Sequence, residues 1–128
     1  KMIVCHGVAD GVFSPMDTAN WMDKLQANHS GKADAFARLF LVPGMNHCSG
    51  GPATDQFDML APLVAWVEQG KAPDSVTAKA RGAGANVVNT EVPANWGAAR
   101  ARPLCTYPKV ARYNGTGDVE SASSFSCK

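Results

Sequence analysis

The chain reads as an α/β fold, and three observations in its 128 residues say so. Two short apolar runs, Met2–Cys5 and Ala35–Val42, each stop at a glycine or a Pro-Gly pair. Each is followed by a polar loop. Each loop leads into an apolar pattern of helical period, so strands and helices alternate. Such alternation predicts adjacent parallel strands joined by a right-handed crossover.

The elements follow in order. Met2 to Cys5, closing at Gly7, is a buried strand, and Gly7 to Pro15 is a loop. Ser14-Pro15 starts a helix, with Ser14 as N-cap and Pro15 in the first turn. Met16, Ala19, Met22 and Leu25 give that helix one apolar face, with Trp21 beside it, and it stops near Asn28 to Gly31. Ala35 to Val42 is the second strand, ended by Pro43-Gly44, and Asn46 to Gly51 is a loop. Asp55 to Gln69 has the strongest helical pattern, with Phe57, Leu60, Val64 and Val67 on one stripe, Gly70 as C-cap and Pro73 blocking continuation. Val76 to Ala80 is a third short strand. Beyond Arg81 periodicity fades, and only Asp118 to Ser124 has the makings of a helical turn or two. The division expected is a unit over 1–80 and an extended, loop-rich tail over 81–128.

Composition bounds the function. Apolar residues make up 45% and charged residues 18%, enough to build a core. Twelve basic and 11 acidic residues leave a formal charge of +1, with no basic run. Nucleic acid is disfavoured as a partner, because a phosphate-binding face concentrates positive charge. The apolar stretches fall far short of a membrane span. Lys1 to Gly7 opens directly in a core strand rather than in a leader pattern, so the expectation is a chain cut from something larger.

The four cysteines, Cys5, Cys48, Cys105 and Cys127, allow three complete pairings and lack the close spacing of a zinc site. Cys105 and Cys127 bracket a Gly-, Ser- and Asn-rich segment that gains order from a staple, so their pairing is the first expectation. Closing such a loop stabilises by roughly 3 kcal/mol in the chain-entropy view. It points to an oxidising compartment. Four reduced thiols in a cytosolic protein are the alternative. Asn28 and Asn114 each head an Asn-x-Ser/Thr sequon.

The chemistry lies in the two loops after the strands. Asp10 follows the first strand in His6-Gly7-Val8-Ala9-Asp10, and His47 follows the second in Gly44-Met45-Asn46-His47-Cys48. Neighbouring parallel strands bring both loops to one edge, where open α/β sheets build their sites. An Asp and then a His after late strands is the order α/β-hydrolases use after their serine. The carboxylate orients the imidazole and stabilises the imidazolium. Singly, Asp10 is as readily a turn residue and His47 a satisfied loop histidine; their joint position favours chemistry. No Gly-x-Ser-x-Gly elbow is present, and Ser49 is too close in sequence to His47 to be its nucleophile. His6 reads as a packing or hydrogen-bonding residue, and His29 as a helix-end residue. A thiol enzyme using Cys48 or Cys5 is a weaker alternative.

Several motifs carry a resemblance. His6-Gly7-x-x-Asp10, Pro43-Gly44-Met45-x-His47-Cys48-x-Gly50-Gly51 and Leu63-Val64-x-Trp66-Val67-Glu68-x-Gly70-x-Ala72-Pro73 are similar to segments of the tannase and feruloyl esterase family. So are Arg102-Pro103-Leu104-Cys105-x-Tyr107-Pro108, Ala111-x-Tyr113-x-Gly115-x-Gly117-Asp118 and Ser124-Phe125-x-Cys127. The likeness is weakest between Gly82 and Ala101.

The resemblance implies the C-terminal portion of an α/β-hydrolase fold from a secreted or periplasmic serine esterase acting on small phenolic-acid esters, feruloyl or galloyl. It assigns Asp10 as triad carboxylate and His47 as base. Cys48 becomes half of a disulfide to a cysteine beside a serine outside this chain. Cys5 has no counterpart and is expected to be a free, buried thiol. No cofactor is implied in these residues; calcium belongs to the lid domain of some members. Alone, the piece is expected to be inactive and to associate with itself, with neither nucleic acid nor membrane as partner. The alternative is a non-catalytic, disulfide-stapled binding or interaction domain.

Overall fold

A computed structural model describes all 128 residues. The chain runs β1 (Met2–Gly7), α1 (Pro15–Asn28), β2 (Ala37–Val42), α2 (Leu60–Gln69), β3 (Ser75–Lys79), β4 (Ala101–Cys105), β5 (Ala111–Tyr113) and β6 (Phe125–Cys127). Single 3-10 turns occupy Ala33–Ala35 and Ala122–Ser124. The strands pair in three two-stranded sheets. β1 and β2 are parallel and in register from Met2↔Ala37 to Gly7↔Val42. The pairs β3–β4 and β5–β6 are antiparallel.

β2 organises the core through the two-residue period of a strand. Ala37 and Leu39 face one side and pack with Met22 of α1 and Ala33. Phe40 and Val42 face the other and pack with Met45, Ala53, Ala78 and Leu104. Both faces are therefore covered, which explains why β2 reads as a continuous apolar run rather than an alternating one. The chain after β4 lies along the far side of β2: Phe40 forms an antiparallel bridge with Thr106, and the Tyr107 amide donates to the Leu39 carbonyl at 2.8 Å.

Several sequence expectations need correction. The α2 helix begins at Leu60 rather than Asp55. Pro62 explains the shift: it fits a first turn, but in a helix starting at Asp55 it would sit in the interior, where its ring clashes and a hydrogen bond is lost. The Asp58 carboxylate instead accepts from the Leu60 and Ala61 amides, at 2.8 and 3.2 Å. The helix buries Trp66, while Leu60, Val64 and Val67 of the expected stripe are exposed. Ser14 has the extended backbone of an N-cap but makes no side-chain capping bond, leaving Pro15 as the start signal.

The third strand does not extend the parallel sheet. β3 pairs with β4, which carries Pro103 opposite Thr77. A proline that cannot donate to the ladder masks such a strand in the sequence. The expected staple is present: Cys105 and Cys127 are disulfide-bonded across a sequence separation of 22.

Candidate active site

The in-register ends of β1 and β2 deliver both loops to one rim. The Val8 amide donates to the Val42 carbonyl, and the Ala9 amide to the Met45 carbonyl, each at 2.9 Å. Gly7 permits this stitching. A Cβ there would collide with the Met45 and Asn46 carbonyl oxygens.

Asp10 and His47 meet at this rim. His47 Nδ1 donates to Asp10 Oδ2 at 2.8 Å. The other carboxylate oxygen, Oδ1, accepts from the Val12 and Phe13 amides at 2.7 and 3.0 Å. The Asp10 side chain is only 4% exposed, whereas that of His47 is 47% exposed. Burial alone would raise the Asp10 carboxyl. The bond from His47 and the two amide bonds outweigh it and hold the group below the usual carboxylate range. Since the acceptor fixes the proton on Nδ1, Nε2 of His47 is left as the basic nitrogen. The Phe13 ring lies 5.6 Å from the imidazole, tilted against it.

The His47 loop is held from behind by side chains the sequence reading did not single out. Asp55 Oδ2 accepts from the Gly50 amide at 2.8 Å, and Arg81 grips Asp55 with Nε at 2.9 Å and a terminal nitrogen at 2.5 Å. Glu91 accepts from the Gly51 amide at 2.7 Å and from Asn46 Nδ2 at 3.3 Å. Asn89 donates to the Gly51 carbonyl at 2.8 Å. Positive φ at Gly44, Gly50 and Gly51 lets the loop fold tightly enough for these contacts. Nothing local in the sequence flags Arg81, Asn89 or Glu91, because their partners in the loop lie 26 to 45 residues away. His6 had a signal, its spacing of four from Asp10. Its Nε2 lies 3.3 Å from Asp10 Oδ2.

The remaining cysteines are both free and exposed. Cys48 adjoins His47 with a left-handed φ of 65°. Cys5 was expected to be buried; it lies on the open side of β1, yet enough protein surrounds its sulfur to push the thiol up to about 11. Such a thiol is a poor nucleophile near neutrality, which weighs against thiol chemistry at Cys5. An open cleft of about 680 Å³ runs past Asp10 and His47, with Val4, Phe13, Trp21 and Met45 in its walls. No helix is long and apolar enough to cross a membrane.

A carboxylate-oriented imidazole at the carboxyl rim of a parallel strand pair is the arrangement hydrolytic acid–base centres use, on an α/β scaffold with small sheets. The family model for "Tannase and feruloyl esterase" matches residues 1–128, and the chain belongs to that family. It is 54% identical over 128 residues to a mono(2-hydroxyethyl) terephthalate hydrolase of Piscinibacter sakaiensis, covering 99% of this chain and 19% of that protein. It is 36% identical to a probable feruloyl esterase of Arthroderma benhamiae, covering 99% of this chain and 22% of the relative. The crystal structure of feruloyl esterase B from Aspergillus oryzae covers all of this chain with a TM-score of 0.76 at 26% identity, over 26% of its own length. The chain thus spans about a fifth of the length of these two curated relatives. This membership does not favour the non-catalytic binding-domain alternative.

Proposed function

We propose that these residues form the C-terminal part of an α/β-hydrolase core in a serine carboxylic-ester hydrolase. They supply Asp10 and His47 to a Ser-His-Asp triad whose serine lies outside the 128 residues. The carrying observation is the 2.8 Å bond from His47 Nδ1 to a buried carboxylate, which leaves Nε2 as the basic nitrogen.

The mechanism follows from that geometry. Nε2 takes the serine proton as Oγ attacks the ester carbonyl carbon. The tetrahedral oxyanion collapses, the ester C–O bond breaks, and Nε2 returns the proton to the departing alkoxide. Water then repeats the sequence on the acyl-enzyme, giving the free acid and restoring the serine. Asp10, held ionised by three N–H donors, stabilises the imidazolium formed in each half. Cys48 is assigned to a disulfide with a cysteine beside that serine, which would restrict the base relative to the nucleophile.

The substrate class inferred is small esters of aromatic carboxylic acids, with feruloyl and galloyl esters foremost. The names of the terephthalate hydrolase and the probable feruloyl esterase concern aromatic acids, and Phe13 offers an aromatic wall beside the base. The Cys105–Cys127 bond supports a secreted or periplasmic location.

The test uses the full-length protein with methyl ferulate, methyl gallate and mono(2-hydroxyethyl) terephthalate. His47→Ala should lower kcat by about 10^3-fold or more. A loss below about tenfold on all three would remove His47 from the triad. The 128-residue piece alone should turn over none of these esters, and turnover by it would refute a serine outside this chain.

A further inference from the structure

Resting on the reading of His47 as base and Asp10 as its orienter, we propose that His6 is a positioning residue. It clamps the Asp10 carboxylate through a hydrogen-bond chain that runs from Thr18 through His6 to the Phe13 turn, whose amide holds the carboxylate.

His6 has both ring nitrogens engaged. Nε2 lies 3.3 Å from Asp10 Oδ2 and 3.2 Å from the Phe13 carbonyl oxygen. Both neighbours only accept, so Nε2 carries a proton. Nδ1 lies 2.7 Å from Thr18 Oγ1, a hydroxyl able to donate to the neutral ring and hold it in the Nε2–H tautomer. The side chain is 13% exposed, so water does not compete freely for these bonds.

The arrangement does two things together. At Oδ2, His6 Nε2 lies at ion-pair distance, 3.3 Å, beside the hydrogen bond from His47, while two amides hold Oδ1. The group cannot rotate without losing a donor. At the Phe13 carbonyl, the same N–H pins the turn whose amides hold Oδ1. His6 stands on β1 and Thr18 on α1, so the carboxylate is referenced to two rigid elements rather than to its own loop. His6 is not itself the base, because both its ring nitrogens are engaged, Nδ1 with Thr18 and Nε2 with the Phe13 carbonyl. A histidine serving only to fill space would need neither of these polar alignments.

The experiment is a kinetic cycle in the full-length protein, with ferulate ester turnover as readout. His6→Phe should lower kcat about ten- to a hundredfold with KM nearly unchanged, the scale expected when a catalytic group is displaced by a fraction of an ångström. His6→Gln, whose amide N–H can reach the same acceptors, should recover most of that loss. In an Asp10→Ala background, His6→Phe should cost nothing further, since its effect passes through the carboxylate. A kcat for His6→Phe within twofold of the parent overturns the proposal. So does an equal loss in the Asp10→Ala background, or a Gln variant as slow as the Phe variant. If His6→Phe does not fold, Thr18→Val carries the test: kcat should fall severalfold, and an unchanged value overturns the clamp. Should His47→Ala retain activity, the triad reading itself fails. Should it abolish activity while the His6 variants stay at full rate, only the clamp fails.

Discussion

Gly7 is where backbone geometry becomes chemistry. With no side chain, it lets the end of β1 approach the His47 loop, and the Ala9–Met45 hydrogen bond then fixes the spacing of Asp10 and His47. Gly7→Ala should destabilise the fold by about 1–3 kcal/mol, as added atoms in tight packing do, measured by urea unfolding. In the full-length protein the same change should lower kcat more than it raises KM, because it moves the base rather than the binding surface. Asp10→Asn should cut kcat by about 10^4-fold, the loss seen when an amide leaves a triad imidazole in the wrong tautomer. An Asn variant within tenfold of the parent would mean that Asp10 does not orient His47.

The elements differ in how much they announced themselves. β1, α1 and β2 follow from local signals: apolar runs closed by Gly7 and Pro43-Gly44, and Pro15 at the helix start. The start of α2 was legible too, in Pro62, but the apolar stripe running back to Phe57 outweighed it. β4 to β6 were not legible, because their pairing is set by partners far along the chain and by a disulfide rather than by periodicity. The site divides in the same way. Asp10 and His47 stand at strand ends that topology brings together, while Arg81, Asn89 and Glu91 act across loops. Two measurements probe the elements. Phe40→Ala on β2, where the ring is wholly buried, should cost about 3–5 kcal/mol. Replacing Cys105 and Cys127 with serine should cost about 3 kcal/mol, read as a lower urea midpoint that reducing agent no longer changes.

Over the whole molecule, charge sets the response to acid. The Arg100 guanidinium beside Glu120 holds that carboxyl down to about 2, from an ordinary 4.5. A carboxyl depressed on folding stabilises fully above its unfolded value and loses that contribution as pH falls toward the folded one. Stability should therefore decline from about pH 4.5 to about 2, and Glu120→Gln should flatten part of that decline in a pH series of thermal melts. Asp55 acts in the same direction: burial would raise it, but the Arg81 and Gly50 hydrogen bonds outweigh burial. The open side of β1, with Met2 and Trp21 exposed nearby, is an unprotected strand edge. The 128-residue chain should self-associate through it, and a single monomer mass by light scattering would contradict this.

Residues 106–107, lying against β2, give the molecule a direction. That flank of the central strand pair is already occupied, so any further strand can join the pair only beside β1.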